Sequence, residues 1–156
     1  MGQCEGEGSV ISPSKQRLLA ALEHLDGAEP ELAVALPLRL ESRANDHRAN
    51  HWAPRAKRSK AHRMAAQLAL AAHRADLRGC LAEHGLVVRV VRVSPGQGLD
   101  SHDNVGMACK ALVDGVADLL GVNDRDRRVT FIADEERGPW GARIETYCAM
   151  HMRRLS

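Results

Sequence analysis

Aromatic side chains are nearly missing from this sequence: Phe, Trp and Tyr together make up 3% of its 156 residues. A core formed from it must therefore be packed from Ala, Val and Leu. Cysteine is sparse and scattered. Cys4, Cys80, Cys109 and Cys148 form no Cys-x-x-Cys pair, which argues against zinc ligation and predicts reduced, partly buried thiols in a cytosolic protein. The chain has no run of about 18 apolar residues, so no membrane-spanning helix is expected. The N-terminus lacks a basic segment followed by an apolar stretch, which argues against a secretory signal. We find no internal repeat.

What is present suffices for one folded domain with additions at its ends. Hydrophobic residues make up 44% of the chain, and this length supports a real core. Net charge is only +2, but its distribution is uneven. Between Arg39 and Arg92 a dozen Arg and Lys residues face only Glu41, Asp46, Asp76 and Glu83. Acids concentrate after Asp100. A basic half with an acidic focus fits a polyanion partner and a metal site.

Periodicity and punctuation give the element order. Residues 1–8 are Gly/Glu-rich. Ser12-Pro13-Ser14 opens a short helix, Lys15–Leu25, with Leu18, Leu19, Leu22 and Leu25 at helical spacing. It reads as an appendage, with Gly27–Pro30 as linker. Leu32–Leu40 is an expected strand whose Pro37 demands an edge or a kink. A polar loop, Glu41–Asn50, precedes a long helix from Trp52 to about Leu77. Leu86–Val93 is the clearest strand. A Pro/Gly turn then leads to a second helix, Asp103–Leu120, closed by Gly121. Strands at Arg128–Ala133 and Ala142–Cys148, around a turn at Glu135–Gly138, complete the order. The expected fold class is α/β (α+β): a small mixed β-sheet with two main helices in βαβαββ order, plus the appended N-terminal helix.

The second helix carries the chemistry. Val105, Cys109, Leu112, Val116, Leu119 and Leu120 form an apolar face. Asp103, Met107, Lys110 and Asp114 lie on another stripe, with Lys110 about two turns above Asp103. Asp100 and Asp103 sit at the positive end of the helix dipole, and Asp124 and Asp126 follow its far end. Such carboxylates suit a divalent metal if the fold brings them together. Equally, Asp before a helix is an ordinary cap, Asn-Asp-Arg-Asp an ordinary turn, and Lys110 with Asp114 an ordinary i,i+4 pair. In the first helix Arg55, Lys57, Arg58, Lys60 and Arg63 are candidate phosphate contacts. Beside them, Trp52 either stacks on a base or packs inward. His47 and His51 lack a third ligand of matching type.

Together these segments resemble a family, the RusA-like Holliday-junction resolvases of phage and prophage type. The resemblance runs from about Leu32 to Cys148 and makes residues 31–150 the nuclease domain, between a tail (1–30) and a short C-terminal tail (151–156). It rests on Asn45…His51-Trp52…Arg55…Lys57-Arg58…Lys60…Arg63. Its stronger part is Leu99-Asp100-Ser-His-Asp103-Asn104, then Lys110-Ala-Leu-Val-Asp114-Gly-Val-Ala-Asp118-Leu-Leu-Gly121-Val-Asn-Asp124-Arg-Asp126. The resemblance implies a cytoplasmic, homodimeric endonuclease of DNA recombination and repair. It would nick four-way junctions in branched double-stranded DNA, with Mg2+, or Mn2+ in its place. Asp100, Asp103 and Asp124, with Asp126 as runner-up, match the metal-binding acids; Lys110 matches the helical Lys, and Asn104 the Asn that meets DNA. Ser101 and Asn123 stand where family members usually carry Asp. These departures leave an alternative, a catalytically degenerate DNA-binding module of the same fold.

Overall fold

The computed structural model describes residues 12–41, 52–99, 102–123 and 125–150, and for residues 13, 14, 52, 53, 102 and 103 the backbone alone. Along the chain run α1 (Pro13–Leu25), β1 (Leu32–Leu36), α2 (Trp52–Leu70), a 3-10 turn (Ala71–His73), α3 (Arg74–Glu83), β2 (Leu86–Ser94), α4 (His102–Leu120), β3 (Val129–Arg137) and β4 (Gly141–Cys148). The four strands form one mixed sheet in the order β1-β4-β2-β3. β2 and β3 are parallel, with Leu86 opposite Val129 and Ser94 opposite Arg137. β4 runs antiparallel to β1 and to β2. The expected α+β architecture is therefore present. α4 is the crossover that a parallel β2–β3 pair requires.

The two faces of the sheet differ. On one, Leu86, Val88, Val90, Val129 and Ile144 pack against Val105, Cys109, Leu112 and Val116 of α4 and against Ala66 and Leu70 of α2, all buried. On the other, Val87, Ile132 and Tyr147 meet Ala21 of α1, with Leu18 and Leu25 beside it. Cover on both faces explains why β2 reads as a nearly unbroken apolar run. α1 is docked on this second face. Its apolar residues divide: Leu19 and Leu22 remain 42% and 40% exposed, contrary to a single inward stripe.

Four boundaries differ from expectation. β1 stops at Leu36, because Pro37 cannot continue the ladder; it is an edge strand, as its proline predicts. The first long helix is broken by the 3-10 turn and resumes as α3 to Glu83, so Gly79 lies inside a helix. Gly85, at φ 89°, ends α3 in the left-handed region that glycine tolerates best. β3 continues through Asp134–Arg137 instead of turning at Glu135. Those charged residues stay extended because arginines of the neighbouring strands receive them, as described below.

α4 begins and ends close to where its sequence predicts. At its C-terminus Gly121 has φ 70°, and the Val122 N–H reaches Ala117 O at 3.0 Å. This closes the last turn in the Schellman manner. Gly115 sets the approach of α2. A Cβ there would stand 2.4 Å from Arg63 O and 3.0 Å from the Ala66 Cβ, so only hydrogen lets the basic helix lie directly on α4.

Candidate functional site

α4 starts where β2 and β3 finish, the end of a parallel sheet at which α/β folds usually present ligand-binding groups. Asp103 is the second residue of this helix. The apolar face expected of α4 is buried, Cys109, Leu112 and Val116 fully so. Met107 and Lys110 are exposed and Asp114 half-buried. Lys110 Nζ donates to Asp114 Oδ1 at 3.1 Å, so the i,i+4 pairing exists.

Lys110 borders two grooves. One, of about 340 Å3, runs between α4, β3 and α1 and is lined by Arg17, Gly106, Lys110, Asp126 and Phe131 among others. The other, of about 260 Å3, lies between α4 and α2 and is lined by Ser59, Lys60, Arg63, Lys110 and Asp114. The basic helix and the candidate catalytic lysine thus share a surface. Arg17, on the helix read as an appendage, enters the first groove. Its place on a short amphipathic helix carries no sequence signal for this.

The basic residues are not equally available. Lys57 and Lys60 are exposed. Arg63 donates through Nη2 to Asp118 Oδ1 at 2.9 Å and through Nε to Oδ2, and Gln67 adds a bond of 3.2 Å. The hydrogen bond from Arg63 holds the Asp118 carboxyl below its ordinary value. Arg63 therefore ties α2 to α4 as well as lining the groove. Arg58 lies 3.6 Å from Glu41. Arg55 is half-buried. Burial, then the positive charge of Arg58, pushes the His62 pKa down.

Of the four acids in the metal reading, only Asp126 has a described side chain. Asp100 and Asp124 lie outside the described residues, as do Asn45, His47 and His51. The side chains of Asp103 and Trp52 are likewise not described. Asn104 is half-buried in the first turn of α4. Asp126, expected as a possible metal ligand, is engaged with Arg128. It accepts from Arg128 N at 2.9 Å, Nε at 3.1 Å and Nη2 at 2.8 Å. These bonds, the side-chain ones foremost, take its carboxyl down to about 2. Asp126 makes ordinary turn contacts and also lines the groove beside Lys110. Asp103 and Gly121 are separated by about 27 Å along the axis of α4, and Asn123 and Arg125 follow Gly121 at the end where β3 begins.

The second face of the sheet holds a charged network that sequence reasoning missed. Arg89 donates to Asp134 at 2.6 Å and to Glu145 at 2.9 Å. Arg143 reaches Glu145 at 2.7 Å and Glu136 at 2.6 Å. The Tyr147 hydroxyl donates to Glu145 at 2.8 Å. Burial alone would raise the Glu145 carboxyl, but bonds from Arg143, Arg89 and Tyr147 together hold it below the ordinary glutamate value. Burial, with the hydrogen bond to Glu145, pushes the Tyr147 hydroxyl up to about 12. Alternation of charge along β2, β3 and β4 is the signal that points to it.

The cysteine expectation is also corrected. Cys80 and Cys148 are joined in a disulfide, with Cα atoms 6.1 Å apart. Cys109 is free and buried, and burial pushes its thiol up to about 12. Among the described residues, Glu31, Cys80 and Cys148 place ligand atoms within 4.8 Å of one another; their sulfurs are bonded to each other, and soft thiols do not suit Mg2+. No described helix is long and apolar enough to cross a membrane.

Comparison with known proteins adds no relative: no family model matches the chain, and neither a curated protein nor a solved structure gives a significant match.

Proposed function

We propose that the protein is a Mg2+-dependent, structure-selective endonuclease that nicks four-way DNA junctions, in the manner of the RusA-like resolvases. The observation that carries this reading is the pairing of α2 with α4. Gly115 lets the basic helix lie on the helix that begins with Asp103-Asn104 and carries Lys110. Lys60, Arg63 and Lys110 then line one groove. Cations along such a groove replace the counterions of a phosphate backbone and bind it in a salt-dependent way.

In this reading Asp103, with Asp100 before it, holds Mg2+ at the positive end of α4. Bound there, the ion supplies Lewis-acid activation of the scissile phosphate and of the attacking water. Lys110, about 10 Å further along the helix, offsets charge on the phosphate path. Arg17 and Lys60 steer the strands on either side of it. Asp124 is the further candidate ligand for the same ion. A homodimer is part of the proposal, and two such sites suit paired, symmetrical nicks.

The test is cleavage of a synthetic four-way junction. The full chain should nick it symmetrically with Mg2+ or Mn2+ and leave a linear duplex of the same sequence intact. Asp103→Asn should abolish nicking and spare binding. A protein that binds junctions and never cuts them overturns the catalytic reading. That result supports the degenerate DNA-binding module, which the capture of Asp126 by Arg128 favours. Mixing Asp103→Asn with Asp124→Asn should restore some nicking if the site is shared between copies.

A further inference from the structure

Three parts of the chain meet at the end of the sheet where β2 begins, away from the start of α4. Cys148 closes β4 opposite Leu86, the first residue of β2. Cys80 lies in the last turn of α3. Glu31 stands directly before β1, its N–H bonded to Thr146 O at 2.9 Å. The two sulfurs and a Glu31 carboxylate oxygen all lie within 4.8 Å of one another. Cys148 is 6% exposed, Cys80 half-buried and Glu31 exposed. Solvent therefore reaches the group from the side of Glu31 and Cys80. The Cys80 sulfur also stands 3.4 Å from Gly85 O, so the free thiol has an acceptor in place.

The bridge between Cys80 and Cys148 explains the approach of the two sulfurs but not that of the carboxylate. A disulfide is neutral and gains nothing from an anion beside it. Two thiolates next to the same carboxylate repel it and one another unless a cation stands between them. Two sulfurs and one oxygen form a donor set that suits borderline-soft Zn2+ and not Mg2+. Zinc–sulfur bonds of about 2.3 Å in a tetrahedron hold two thiolates about 3.8 Å apart. From Cα atoms 6.1 Å apart, side-chain rotation reaches that separation.

We propose that, once reduced, Cys80, Cys148 and Glu31 hold one Zn2+, and that the disulfide is the metal-free, oxidised form of the same site. A dithiol reductant opens the bridge through a mixed disulfide at Cys80, the more accessible of the two residues. The S–S bond breaks, the reductant leaves as its own disulfide, and two electrons and two protons pass to the cysteines. Zn2+ then displaces the two thiol protons. Three protein ligands leave one tetrahedral position to water. The ion ties together α3, β4 and the segment before β1, where the disulfide ties only the first two. The site stands apart from the nuclease reading, since none of its residues lines either groove beside Lys110.

The experiment reduces the full chain with a dithiol, removes the reductant without air, and titrates the protein with Co2+ and then Zn2+. Co2+ reports its own ligands: thiolates give charge-transfer bands in the near ultraviolet, and tetrahedral geometry gives strong visible bands. We expect one Co2+ per reduced chain with both signatures, displaced by Zn2+, and none in the oxidised chain. Zn2+ should raise the melting temperature of the reduced protein alone. Cys80→Ser and Cys148→Ser should each abolish the paired-thiolate spectrum. Glu31→Gln keeps both cysteines and should weaken Zn2+ binding at least as much as loss of an outer partner does, by about 10–100-fold. It also carries the test should a serine variant unfold. Cys4→Ser should bind as the unaltered chain does. A bridge that the dithiol leaves closed in the folded protein overturns the exchange. Reduced protein that takes up no Co2+ overturns the site. Uptake that survives both serine substitutions, or is lost with Cys4, overturns the assigned cysteines. Unchanged affinity in Glu31→Gln overturns the role of the carboxylate.

Discussion

Two glycines of α4 should respond in opposite ways to the same change. Replacing a helical Gly by Ala gains about 0.5–1 kcal/mol, because the unfolded chain loses freedom and the helix gains a good former. At Gly106 an added Cβ meets nothing within 4 Å. Gly106→Ala should therefore realise most of that gain. At Gly115 the added carbon would lie 2.4 Å from Arg63 O and 3.0 Å from the Ala66 Cβ. Neither atom can rotate away, since one is backbone and the other is fixed to it. α2 must withdraw by about an ångström, loosening the contact of Ala66 and Leu70 with Leu112 and Val116. Overpacking of this type costs about 1–3 kcal/mol, with an end-on backbone clash near the upper value. Net of the propensity gain, Gly115→Ala should be less stable by about 1–2 kcal/mol. At this chain length each kcal/mol moves the melting temperature by about 2–4 °C. Urea unfolding and calorimetry of both variants read the result directly. Gly115→Ala as stable as the unaltered protein would refute the close crossing of α2 and α4, and with it the groove they share.

The Cys80–Cys148 bridge closes a span of 68 residues. In the chain-entropy account such a loop contributes about 4 kcal/mol, so Cys148→Ser, or a reductant, should shift the urea midpoint downward by that amount divided by the m-value. An unchanged midpoint would show that the bridge is not formed. The charged network predicts the acid limb of stability. Glu145 is held below its ordinary value, about 4.3, so the folded chain binds fewer protons than the unfolded one in that range. Its contribution is present above the ordinary value and lost as the pH falls through the depressed one. Glu145→Gln should lower stability at neutral pH and flatten its decline in acid. A parallel decline in both proteins would place the acid transition elsewhere.

Much of the frame was legible because it depends on local patterns. Helical spacing with a C-terminal glycine identified α4, and a Val-rich run identified β2. Pro37 marked β1 as an edge. What failed did so for tertiary reasons. Glu135–Gly138 looks like a turn until Arg89 and Arg143 stand beside Asp134 and Glu136. Cys80 and Cys148 look like separate thiols until β4 returns to α3. Of the candidate site, the stripe of Lys110 and the basic run of α2 could be read in advance. Arg17 could not, because the groove it lines is formed by distant parts of the chain.

By itself, the sequence determined which stretches are helix and strand, and which helix carries carboxylates at one end and a lysine along one face. Those properties follow from capping, period and the absence of bulky aromatic residues, all of which act over a few positions. Tertiary structure alone decided which charged side chains meet: Arg63 of α2 takes Asp118 of α4, and Arg89 and Arg143 take Glu145. It also decided that a glycine of α4 admits the basic helix. These depend on distances between segments far apart in sequence, and spacing along the chain does not encode them.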